Sequence, residues 1–151
     1  MILDRKTTSR AGWKRVLYAA LGFVVVAFIY NFPGQVAAYR QKRDLEKTFR
    51  QYSLAIESRD YSTAYTFGTP AFKEAISPQV FEAQQRSFES QFGTLRSIRK
   101  GSLYMHGRGS PMQWIGLVEE DRDYDKGKLH MVCEFHLDEG RWQIFGCKQT
   151  D

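Results

Sequence analysis

The chain has 151 residues, room for one ordinary domain and little beyond it. Its formal net charge of +5 is unevenly placed: five bases and one acid fall in residues 1–15, whereas from Tyr39 onward 17 Lys and Arg face 16 Asp and Glu. The body is nearly neutral and holds no basic stripe with interleaved aromatics, which argues against nucleic-acid binding.

Behind the basic stub of residues 1–15 comes VLYAALGFVVVAFIYNF, residues 16–32, with no formal charge along its length. A stretch apolar all round and flanked by charge reads as a single membrane-spanning helix rather than a core helix. A removed signal peptide is the competing reading, with Val36 and Ala38 as small residues before a cleavage site and a secreted soluble domain as its product. Length and the basic residues that follow favour the uncleaved anchor. Five bases precede the span and five follow within eighteen residues (Arg40, Lys42, Arg43, Lys47, Arg50), but Lys14 and Arg15 abut it. The bias predicts a cytoplasmic N-terminus, an inner (plasma) membrane location and an extracytoplasmic domain. Pro33-Gly34 opens a linker over 33–38, and the domain occupies 39–151.

YRQKRDLEKTFRQYSLAIESRD carries Leu45, Phe49, Tyr52 and Ile56 at spacings of four, three and four, one face of a helix. Asp60 then caps a short helix that Gly68 ends. Thr69-Pro70 and Ser77-Pro78 each pair a capping hydroxyl with a proline at the first helical position, predicting two further helices, the second running to about Gln91. Phe72 belongs to the first of these. Phe81, Phe88 and Phe92 line one face of the second, and Gly93 closes it.

From Thr94 the period changes. TLRSIRKGSLYMHG, MQWIGLVEED, KLHMVCEFHLD and RWQIFGCKQ read as four strands, separated by the turns GRGSP (107–111), DRDYDKG (121–127) and DEGR (138–141). In the third strand Met131, Cys133, Phe135 and Leu137 alternate with His130, Val132, Glu134 and His136, giving one apolar and one mixed face. Helices followed by an antiparallel meander define an α+β domain of short helices packed on a sheet of about four strands.

In order, ESRDYSTAY, TPAFKEAIS, FGTLRSIRK and GRWQIFGCK match a set of short motifs, and over about residues 40–150 the chain resembles the nuclear transport factor 2-like (cystatin-like) superfamily. Cys147 stands where an aromatic is more usual. The resemblance is narrowest to small membrane-anchored or secreted bacterial domains. It implies a cone-like domain, a curved sheet wrapped around a long helix, with a pocket that Phe49, Tyr52, Phe72 and Phe88 would line. That fold hosts enzymes, ligand binders and assembly modules alike.

Chemistry is sparse. Tyr52 is the candidate acid or base within reach of such a pocket, and no Asp or His is identifiable on an inward face. His130, Glu134 and His136 share a strand face, but same-face neighbours about 7 Å apart suit joint ligation poorly. DRDYDKG has Lys126 where a calcium loop needs Gly and Val132 where it needs Glu. No metal and no cofactor is expected, and no residue is assigned to catalysis. Cys133 and Cys147 could form a disulfide in an oxidising compartment. Aligning Phe135 with Ile144 and Leu137 with Trp142, however, sets Cys133 opposite Gly146 and sends the two thiols to opposite faces. The reading is of a non-catalytic envelope protein that binds a small ligand, an envelope partner protein or a second copy of itself. An isomerase- or dehydratase-like enzyme using the cone pocket is the alternative.

Overall fold

The computed structural model describes the backbone of residues 9–108 and 112–150; side chains within the first helix are described at 20, 21 and from 34 onward. Two compact units divide the chain, residues 1–41 and 42–151, a boundary just past the expected 39. One helix, α1 (Ser9–Glu57, 49 residues), supplies the backbone of the first unit and enters the second. The expected break at Pro33-Gly34 and the linker over 33–38 are absent, because α1 runs through both without interruption. Pro33 deprives the ladder of one i→i−4 hydrogen bond, and the turns on either side sustain the rest. Among the described residues no helix is long and apolar enough to cross a membrane. Nearly all side chains of 16–32, like the basic stub, lie outside them.

The second unit begins on the amphipathic end of α1. Leu45, Phe49, Tyr52 and Ile56 are all buried, joined by Ala55. Three short helices follow: α2 (Tyr61–Thr66), α3 (Pro70–Ala75) and α4 (Pro78–Phe92). Each starts where the cap residues dictate. Asp60, Thr69 and Ser77 accept the backbone N–H of Thr63, Phe72 and Val80 respectively, and Pro70 and Pro78 occupy first-turn positions whose N–H would otherwise go unused. Gly93, at φ 87°, closes α4.

The sheet is an antiparallel meander in the order β1 (Leu95–Arg108), β2 (Gln113–Tyr124), β3 (Gly127–Asp138), β4 (Arg141–Gln149). Two of its turns are tighter than expected. DRDYDKG is mostly strand: β2 runs to Tyr124, which pairs with Gly127 and leaves Asp125 and Lys126 alone in the turn. Asp138 pairs with Arg141 across Glu139 and Gly140, whose φ values of 46° and 76° suit a two-residue hairpin following the sheet's twist. Residues 109–111, in the first expected turn, lie outside the described residues.

One apolar cluster joins helix and sheet. Val118, Cys133, Phe135, Trp142 and Ile144 pack against the buried face of α1 and against Tyr61, Ala64, Phe72 and Phe81. Each such large side chain contributes about 1.5–3 kcal/mol by leaving water. Close approach of helix and sheet depends on Gly116, where a Cβ would lie 2.3 Å from Leu45 Cδ2.

The α2–α3 connection is fastened to the last strand by backbone. Thr69 N–H donates to the Ile144 carbonyl at 2.8 Å, and Ile144 N–H to the Phe67 carbonyl at 2.8 Å. The helical layer is thus hydrogen-bonded to β4, which positions the cavity described next.

Candidate functional site

Between α2, α3, α4 and the β3–β4 hairpin lies a cavity of about 530 Å³. Phe72 and Ile76 from α3 and its end, Phe81 and Phe88 from α4, and Met131 and Ile144 from the sheet form an apolar wall. Its polar lining comprises Tyr52, Gln85 and Arg122, which meet at one end, together with Gln84, Ser87 and Gln149. Of the four expected lining residues, Tyr52, Phe72 and Phe88 meet here. Phe49 does not: it faces one turn of helix away and packs edge-on against Phe135 in the core, ring centroids 6.3 Å apart.

Arg122 is the centre of the polar end. It is fully buried, as is Glu120 two residues earlier on the same face of β2. Its Nε donates to Glu120 Oε1 at 2.7 Å, Nη1 to Gln85 Oε1 at 2.8 Å, and Nη2 to the Tyr52 hydroxyl at 3.4 Å. Tyr124 also interacts electrostatically with Arg122. The second carboxylate oxygen of Glu120, Oε2, is buried without a partner among the described residues. Glu120 itself does not line the cavity; it holds Arg122 from behind.

Burial opposes the charge on Arg122, but the neighbouring Glu120 carboxylate, with smaller effects of Tyr52 and Tyr124, outweighs it and raises the guanidinium above its already high ordinary value. Burial pushes the Tyr52 phenol up to about 12, with nearby Arg122 opposing the shift. Burial also raises Tyr124. Tyr52, the candidate acid or base, is only 2% exposed and stays a neutral phenol at ordinary pH.

Sequence reading missed Glu120, Arg122 and Gln85. A signal for the first two existed: Gly116 and Val118 set the inward phase of β2, and stepping by two reaches Glu120, Arg122 and Tyr124. Assigning 121–127 to a turn cut that count short.

The two cysteines are joined, Cys133 to Cys147. The expected register holds near the hairpin, with Phe135 opposite Ile144 and Leu137 opposite Trp142. It then shifts: Glu134 pairs with Gly146, so Phe145 is an extra residue on β4. That bulge moves Cys147 into line with Cys133 on the inner face, reversing the expectation that the thiols diverge. Cys147 lines the cavity.

On the outer face, His136 Nε2 lies 2.6 Å from Glu134 Oε1 and its ring stacks on Phe145 at 4.4 Å. His130 Nδ1 instead meets Asp121 at 2.7 Å, so the two imidazoles serve separate pairs. Asp123 pairs with Arg99 and Lys128. No three His, Cys, Asp or Glu side chains converge as a metal site among the described residues.

No family model matches the chain, and no curated protein matches it. Among solved structures it is similar to Bd1075 of Bdellovibrio bacteriovorus, at a TM-score of 0.54 and 13% identity over 74% of this chain, and the match spans 40% of the Bd1075 chain. It is also similar to Aln2 from a Streptomyces species, at a TM-score of 0.53 and 6% identity, covering 73% of this chain and 89% of that one. At such identities the likeness is one of fold.

Proposed function

We propose that this chain is a membrane-anchored envelope protein of the nuclear transport factor 2-like class whose extracytoplasmic domain binds a small, mostly apolar ligand in the cavity without transforming it. The observation that carries the reading is the cavity itself: apolar walls converging on one buried polar end whose members hold fixed protonation states. Ligand sites commonly have this composition, a largely apolar lining with a few placed polar groups. The buried Arg122–Glu120 pair supports it too. Desolvating two charges costs several kcal/mol per ion, and a well-packed apolar pair generally stabilises a fold as well or better. The Arg122 member of the ion pair, at the cavity wall, is available for recognition.

The enzyme reading draws on Glu120 lying near Tyr52, but general acid–base work needs a group that titrates near the working pH. Arg122 and Tyr52 are both displaced away from it, and the one carboxylate is held behind Arg122. Placement outside the cytoplasm is supported by the apolar 16–32 stretch with its flanking bases and by the disulfide, a cross-link that persists in oxidising compartments.

Photolabelling of the full chain in detergent micelles with a small alkyl diazirine tests the site. The expected label falls on peptides containing Phe72, Phe88 and Met131, and excess unlabelled ketone competes it away. Label spread over exposed surfaces, insensitive to competitor, would defeat the reading.

A further inference from the structure

The chemistry of the polar end constrains what it can hold. A guanidinium donates hydrogen bonds and accepts none. Gln85 must therefore turn its carbonyl oxygen to Arg122 Nη1, which fixes the amide and leaves its NH₂ as the end available to a ligand. Tyr52 must likewise accept from Nη2, so its own proton is free to donate. Both side chains line the cavity. At this end of the cavity Gln85 and Tyr52 therefore present donors.

Charge is the second constraint. An isolated buried Arg122 would select an anion, but Glu120 sits 2.7 Å from it and both side chains are 0% exposed. The pair is neutral as a unit. An incoming carboxylate would lose its hydration and meet the Arg122 charge only together with the Glu120 charge behind it, at low effective dielectric. An uncharged oxygen acceptor takes the same hydrogen bonds without that cost. A cation gains less, because the acceptor oxygens of Gln85 and Tyr52 already face the Arg122 guanidinium.

The geometry points to a ligand with an apolar body and one uncharged carbonyl oxygen (a ketone, ester or amide) seated between Gln85 Nε2 and the Tyr52 hydroxyl, with anions rejected by Glu120. This rests on the reading of the cavity as a ligand site and says which molecules enter it. Glu120 acts through Arg122 and is a positioning residue that sets charge preference.

Calorimetric titration of the full chain in detergent micelles, with micelles alone as blank, compares 2-octanone, octanoate and octylamine at neutral pH. The ketone is expected to bind about ten-fold or more tighter than octanoate, a margin of one hydrogen-bond-sized free energy. Octylamine is expected not to bind. In Glu120→Gln, with the guanidinium no longer neutralised, octanoate gains and the order narrows or inverts; a merely structural role for Glu120 would weaken all probes alike. Gln85→Met is close in size but removes both the ligand-facing NH₂ and the acceptor for Arg122 Nη1, and is expected to weaken the ketone by about five- to ten-fold. Octanoate binding as tightly as octanone in the unaltered chain overturns the inference while leaving the ligand site standing. Binding of none of the three overturns the ligand site as well.

Discussion

Arg122 and Glu120 are placed by a count of two along β2, and the cost of that placement is met by pairing. Each is fully buried, and Glu120 Oε2 has no partner among the described residues, so the interaction with Arg122 is the carboxylate's main compensation. Removing one partner therefore leaves an uncompensated charge. Glu120→Leu is expected to lower unfolding stability by about 3–5 kcal/mol, whereas Glu120→Leu with Arg122→Met restores most of it. Chemical denaturation of the three proteins checks this; a double variant less stable than the single one would show that the pair supports the fold itself. These two residues were also the hardest to read in advance. Within VEEDRDYDKG, charges that look solvated carry the core phase, because a buried ion pair leaves no apolar mark on a strand's alternation. By contrast Asp60, Thr69 and Ser77 were legible, since a cap depends only on residues within one helical turn.

At the level of elements, the β3–β4 hairpin shows where local reading ends. Its turn and first pairs follow from Gly140 and from matching Phe135 with Ile144, but the bulge at Phe145 shifts the register beyond what that match sets. The Phe145 ring stacks on His136 on the outer face, and one residue later the strand returns with Cys147 facing inward. Nothing within RWQIFGCKQ announces that insertion. The resulting cross-link closes a loop of fourteen residues' separation. Loop-closure entropy gives a bond of this span about 2–3 kcal/mol. Adding reductant to the intact chain is expected to lower its unfolding midpoint accordingly. Cys133→Ala with Cys147→Ala should show the lowered midpoint and no response to reductant. A midpoint in the intact chain that ignores reductant would mean the thiols are not joined.

For the whole molecule, the parts legible from sequence were the α+β order, the amphipathic end of α1, the helix starts and the four strands. Each rests on periodicity or on short-range chemistry. The site was legible by half. Tyr52, Phe72 and Phe88 do meet in one cavity, because they sit on inward faces of separate elements. Phe49 shares Tyr52's helical face, yet a shift of three residues along α1 places it over Phe135 instead. What joins those aromatics to a polar end is Arg122 from β2 and Gln85 from α4, a long-range meeting that no single segment encodes. The proposed function rests on that meeting: a cavity whose donor groups would bind an uncharged acceptor and leave it unchanged. Side-chain NMR of the full chain titrated with 2-octanone tests it most directly. Saturable shifts confined to Gln85 Nε2H₂, Arg122 Nε–H and the cavity methyls, with the ketone recovered intact, are the predicted result. Unmoved Gln85 and Arg122 signals, or a ketone converted to product, would contradict it.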